Sequence, residues 1–404
     1  MELTTEENRL ALLLLAHVSG FGHKHLLALK DEFGDAEDII RTPPGNLLLC
    51  QTLGDTLRNE LSSTIENVDP TGIEQDLKKK GVFWICISDS EYPERLRQIP
   101  APPLVLFMLG DRALLDTLSI AIVGSRKASK YGTLVSERIA YDLAELGITI
   151  VSGMALGIDG ASHMGALSAH GRTLAVLGSG VDVVYPSQHK DLYSRIVENG
   201  AVVSEYPPGA EPRAYHFPER NRIISGLSHA VIVVEAPRKS GALITASVAL
   251  EQGRDVFAVP GLVTSPSSRG CHHLIKNGQA ALVESADDVL SSLGISKQEL
   301  LYGRTVAAKQ TQIDDVEVDL PCIGGHDVAE LESSEVTGRG RGYTSTALGP
   351  LEKKVLDCVS YEGSHINMIA RSTGLTIADL SAVLTMLEIR GIVTTGSGGY
   401  YQRI

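Results

Sequence analysis

The basic side chains Arg220, Arg222, Arg238 and Lys239 fall within the stretch Phe217–Pro260, among small and apolar residues. Guanidinium and ammonium groups framed by tight backbone suit anion binding. Gly124-Ser125-Arg126 offers the same chemistry in another form. Amides of such a turn, and the start of the helix after it, can hold a phosphate that the arginine clamps. Gly153, in VSGMALGID, and Gly178 and Gly180, in LGSGVD, form two further glycine loops. In the basic stretch, Phe217 can stack on a base or pack in the core, and Asn221 lies between Arg220 and Arg222. Cations are disfavoured in a first helical turn. Arg220 and Arg222 therefore need an anionic ligand or an internal carboxylate, for which Glu205 and Glu235 are the candidates. Arg238-Lys239-Ser240-Gly241 opens the next helix, with Ser240 as its N-cap. Asp159 reads equally as a helix cap or a ligand-facing group, Asp182 as a sugar or base contact or a loop clasp, and His163 as structural.

Each loop must stand at the carboxyl end of a strand. Strands are expected at 119–125, 148–153, 172–178, 201–206, 229–236 and 255–261, alternating with helices at 129–146, 157–169, 189–199, 217–228 and 240–253. Continuous apolar strands alternating with helices define a parallel sheet covered on both faces. The fold class is α/β: an extended Rossmann-like parallel sheet over 82–290, preceded by a strand at 82–88 and one more near 105. Ligands of such sheets bind at the carboxyl ends of the strands.

Residues 1–75 read as an N-terminal helical (SAM/helix-hairpin-helix-like) domain. Its turn, Val18-Ser19-Gly20-Phe21-Gly22, is either a packing element or a backbone-phosphate contact. Residues 291–345 read as an acidic flexible linker. Three helices and a hairpin over 346–404 outline a winged helix. Its third helix carries Asp379 and Glu388 beside Arg390, which favours protein contact or autoregulation over duplex reading.

The formal net charge of −13 argues against indiscriminate coating of nucleic acid but not against a focused basic groove. Cys50, Cys86, Cys271, Cys322 and Cys358 are scattered without a CxxC pair, so no disulfide framework or cysteine zinc site is expected and the reducing cytoplasm is the expected location. Glu2, Glu6 and Glu7 stand where a signal peptide would be basic. No apolar run reaches about 18 residues, so no membrane partner is expected. GxGxxG, the P-loop lysine, GxSxG and carboxylate clusters are missing. Binding without bond breaking is the expectation, with no catalytic residue, metal or cofactor.

The segments IVGSRKASKYG, VSGMALGIDGASHMGAL, AVLGSGVDVVYP, VVSEYPPG, FPERNRIISGLS and VEAPRKSGALITASVALEQGRDVFAVPG resemble the DprA (Smf) family of DNA-processing proteins across the whole middle domain. The resemblance implies a cytoplasmic homodimer that binds single-stranded DNA in a basic crevice. Such a protein protects incoming DNA in natural transformation and loads the RecA recombinase for homologous recombination. It also implies that the family's GSR turn falls on Gly124, Ser125 and Arg126, its FPxRNR motif on Phe217, Pro218, Arg220, Asn221 and Arg222, and its basic loop on Arg238, Lys239, Ser240 and Gly241. Three positions depart from the family pattern: Leu156 replaces an arginine, Met164 a basic residue and His189 an asparagine. The other classes left open are a Rossmann-type nucleotide-processing enzyme, phosphoribohydrolase-like, and a nucleotide-sensing regulator. The first resembles chains carrying PGGxGTxxE, whose glutamate has no counterpart in RKSGALITA.

Overall fold

The computed structural model describes residues 5–301 and parts of 350–403. The chain divides into two units, Met1–Asp319 and Leu320–Ile404. The first begins with helices α1 (Glu6–Ala16), α2 (His23–Phe33), α3 (Ala36–Arg41), α4 (Pro44–Leu49), α5 (Asp55–Asn67) and α6 (Pro70–Lys79). Local chemistry starts them: Thr5 caps α1 by accepting from the Asn8 amide, and Asp69 accepts from Thr71 and Gly72 just before Pro70 opens α6.

Next come β1 (Phe83–Cys86), α7 (Glu94–Arg97), β2 (Val105–Gly110), β3 (Ser119–Val123), α8 (Lys130–Glu145), β4 (Thr149–Ser152), α9 (Ile158–Ser168) and β5 (Thr173–Val176). They are followed by α10 (Lys190–Asn199), β6 (Ala201–Ser204), α11 (His216–Leu227), β7 (Ala230–Val233), α12 (Gly241–Glu251), β8 (Asp255–Ala258), α13 (Arg269–Lys276), β9 (Ala281–Leu282) and α14 (Ala286–Ser292). Among the described residues these strands form one sheet of order β1-β2-β6-β5-β4-β3-β7-β8-β9.

The sheet is mixed rather than wholly parallel. From β6 to β9 every pairing is parallel, but β1 pairs β2 and β2 pairs β6 antiparallel. Between β1 and β2 there is only the one-turn α7 and then Pro100, Pro102 and Pro103. Proline cannot prolong a helix, so the connection folds back instead of crossing a face of the sheet.

Alternation along the strands splits the core. Ile120 and Ile122 of β3 pack with Ile139 and Leu143 of α8, whereas Ala121 and Val123 face the side of Ile223, Ile224 and Ala246 on α11 and α12. The N-terminal helices do not form a separate core. Leu12, Leu13 and Leu15 of α1 lie in one buried cluster with Trp84, Phe107, Ala175 and Val202 of the sheet. Arg9 ties α1 down further, ion-paired to Asp89 at 2.8 Å and 4.7 Å from the Trp84 ring centroid. At the other end Leu293, Ile295 and Leu300 pack on the α8 side of the sheet. The expected linker lies outside the described residues from 302 onward.

The second unit contains helices Pro350–Leu356, Ile366–Thr373 and Ile377–Ile389 and strands Ser364–His365, Val393–Thr395 and Tyr400–Arg403, the last strand lying between the other two. Val355, Leu380, Leu384 and Val393 form its core. This is the expected winged-helix-like arrangement.

Leu13 is fully buried at the seam between α1 and the sheet. Leu13→Ala is expected to cost about 2–5 kcal/mol. Because Trp84 is the single tryptophan, its fluorescence and far-ultraviolet dichroism should report one coincident urea transition for the first unit. Separate transitions for helices and sheet would contradict a shared core.

Candidate nucleic-acid interface

Chain order runs from β3 outward to β4, β5 and β6, then returns to β7 on the other side of β3. The switch point therefore lies between β3 and β7, where a crevice opens at the carboxyl ends of the strands. Gly124–Arg126 follows β3 and Pro237–Ser240 follows β7, so topology alone brings these loops together. They line a groove of ≈ 900 Å³ with Phe217, Arg220, Asn221 and Gly241.

Glu235 fixes the loop after β3. Its buried carboxylate accepts from the Ser129 amide (2.8 Å), the Ser129 hydroxyl (2.7 Å) and the Ser267 hydroxyl (3.1 Å), while its backbone carbonyl accepts from the Ser125 amide at 2.7 Å. Glu235 thus clasps three segments and pairs with neither arginine of α11. On the other wall, Ser240 accepts from the Ala242 amide at 3.3 Å, as an N-cap does. Asn221 donates to the Gly241 carbonyl at 3.4 Å, joining α11 to α12.

The two arginines of α11 diverge. Arg220 is buried, and its Nη1 donates to the carbonyls of Gly153 (2.7 Å) and Val176, at the ends of β4 and β5. Burial pushes its guanidinium down to about 10, against the pull of Asp159. Gly153 makes this possible: a Cβ there would stand 2.6 Å from the Arg220 guanidinium. Arg222 instead pairs with Glu205 at 2.5 Å and borders a different cavity, shared with the α1–α2 turn. In that turn the amides of Ser19, Phe21 and Gly22 are already bonded to Glu60, Val18 and His25.

Gly178 and Gly180 also lie outside the groove lining. Gly178 is buried against Phe217, and Gly180 against the backbone of Pro207 and Gly209. Asp182 clasps that loop, accepting from the Gly209 amide at 2.6 Å. Asp159 sits in the first turn of α9 and accepts from the Ala155 amide at 3.4 Å; burial holds its carboxyl above the usual range. Arg238 is exposed on the neighbouring face of α12, with Lys239 common to both surfaces.

The exposed cations of the groove are thus Arg126, Lys127 and Lys239, none of them ion-paired among the described residues. The Arg126 guanidinium lies 5.2 Å from the centroid of Phe217, and the Tyr185 ring 5.4 Å from it on the tilted side. Lys127 and the Ser265–Ser267 segment were not among the expected contacts. Lys127 had a signal, its position beside Arg126 in a strand-end loop; the serines had none.

Comparison with known proteins places this architecture. A family model described as DNA recombination-mediator protein A matches residues 83–294, and one for the DprA winged helix domain matches 344–399. Protein Smf of Synechocystis sp. is 35% identical over 96% of this chain and 97% of its own. This chain belongs to the DprA/Smf family. DNA processing protein DprA of Streptococcus pneumoniae is 46% identical over 55% of this chain and 78% of its own. The X-ray structure of that protein superposes with a TM-score of 0.60 at 37% identity, over 72% of this chain and 98% of the other.

The structure places the three residues expected to depart from the DprA/Smf pattern. Leu156 is exposed, and Met164 is exposed with Arg195 Nη1 3.3 Å from its sulfur. His189 donates from Nδ1 to the Met154 carbonyl at 3.0 Å, packed over Gly160.

His163 is structural. The Thr173 hydroxyl donates its one proton to the Ile150 carbonyl at 2.7 Å, so His163 Nδ1–H donates to Thr173 Oγ1, also at 2.7 Å. Nε2 is left buried without a partner. Burial, reinforced by His189 and Arg220, holds His163 down to about 3. The folded value lies below the unfolded one, so the unfolded chain takes up this proton first. Stability should fall as pH drops from about 6.5 towards 3, by up to ~1.4 kcal/mol per pH unit from this group. Urea denaturation of wild type and His163→Gln across that range checks it, and equal slopes would contradict it.

Proposed function

We propose that the groove holds the backbone of single-stranded DNA and that the protein acts by binding, without breaking a bond. One observation carries this reading. In a chain of net charge −13, Arg126, Lys127 and Lys239 meet at one strand-end crevice, none of them ion-paired among the described residues, while Asp159, the carboxylate in its lining, is buried. Cations left unpaired in an acidic protein favour an external polyanion. The groove, at ≈ 900 Å³, has room for more than one phosphate, and Phe217 and Tyr185 offer stacking faces that accept any base. Family membership supports the same conclusion, since the family description names a recombination mediator. In this reading a homodimer protects incoming single strands in natural transformation and delivers them to the RecA recombinase.

Arg126→Ala and Lys239→Ala should each weaken binding of a fluorescent oligodeoxythymidine about tenfold at low salt, equivalent to ~1.4 kcal/mol. Each should also reduce the slope of log affinity against log salt by about 0.7. Arg222→Ala should leave that slope unchanged, because its charge is spent on Glu205. Unchanged affinity in both groove variants, or tight mononucleotide binding with turnover, would sink this reading.

A further inference from the structure

The opposite edge of the sheet carries a second group of cations with no ion pair among the described residues. His229 immediately precedes β7, Arg254 immediately precedes β8, and Arg95 lies in α7 beside them. Strands of four residues separate this amino edge from the groove by about 13 Å. Arg254 Nη2 donates to the Arg95 carbonyl at 2.8 Å, which holds the two residues together, while Arg254 Nε is buried with no partner. His229 Nδ1 accepts from the Ser119 amide at 3.3 Å, which leaves Nε2 to carry the proton.

A cavity of ≈ 300 Å³ opens here, lined by Arg95, His229, Gln98 and Thr117 over Leu118 and Leu227. Two carboxylates also border it. Glu94 is held by Arg97 at 3.2 Å and by Gln98 at 3.1 Å, and Asp116 is exposed at the rim. Among the described residues no carboxylate pairs with Arg95, Arg254 or His229. Burial pushes all three down from their ordinary values. The positive field of Arg95 adds to this at Arg254, and the fields of Arg95 and Arg254 both add at His229.

The geometry points to a second phosphate site at this amino edge, taking a phosphate group either from a nucleic-acid backbone or from free phosphate. The cavity is the size of one such group with its water, far smaller than the groove. The Arg95 guanidinium and the His229 imidazole N–H supply donors that a phosphate oxygen set accepts, and Arg254, outside the lining, adds its positive field. The site is independent of the groove, since it shares no lining residue with it.

The test uses the full chain in the Arg126→Ala/Lys239→Ala background, so that loss of the groove and loss of this site read separately. Inorganic phosphate is titrated by calorimetry in chloride buffer, and a fluorescent oligodeoxythymidine by anisotropy. Arg95→Gln/Arg254→Gln should weaken phosphate binding about tenfold. Gln98→Glu, at an exposed wall position, should do the same by repulsion, with an unchanged urea midpoint as the check on its fold. If a strand phosphate is the occupant, residual oligonucleotide binding falls in parallel; if free phosphate is, only the calorimetric signal falls. Phosphate and oligonucleotide affinities within about twofold of the parent in both variants would overturn the proposal.

Discussion

One buried guanidinium holds the crevice open. Removing a cation from water is costly unless hydrogen bonds replace the lost hydration. Arg220 meets that condition with the carbonyls of Gly153 and Val176 and the nearby charge of Asp159. In doing so it fixes the carboxyl ends of β4 and β5 relative to α11. Gly153 follows as a requirement, because any side chain there would occupy the guanidinium's space. The Glu235 clasp does the corresponding work after β3, so both walls are set by buried charges bonded to groups of the protein itself.

This internal use of charge determines what is left for a ligand. Arg222 is neutralised by Glu205, and Arg220 is buried beneath the surface. The groove's outward charge therefore comes from Arg126, Lys127 and Lys239. The amides of the α1–α2 turn are likewise largely occupied within the turn and by Glu60, which favours a packing role there.

Much of this was legible in the residues. The parallel strands were visible as continuous apolar runs such as SIAIV and HAVIVV, because strands buried on both faces need no alternation. The start of α12 was marked by Ser240, whose cap is a local interaction. Glu205 was identifiable as a partner for an arginine because both partners carry a charge. The partners of Arg220 were not, since backbone carbonyls leave no signature in residue type. The antiparallel edge and the seating of α1 on Trp84 and Phe107 depend on contacts between distant segments, which periodicity cannot report. The same holds for the cations at the amino edge, where Arg95 and Arg254 are 159 residues apart.

The central claim is that surface cations hold the strand while Arg220 remains part of the framework. The most direct measurement is a crystal structure of the protein with a short oligodeoxythymidine. Backbone phosphates should lie within hydrogen-bond distance of Arg126 and Lys239, with Arg220 still on the carbonyls of Gly153 and Val176. A strand bound elsewhere, or an Arg220 turned out onto a phosphate, would contradict it.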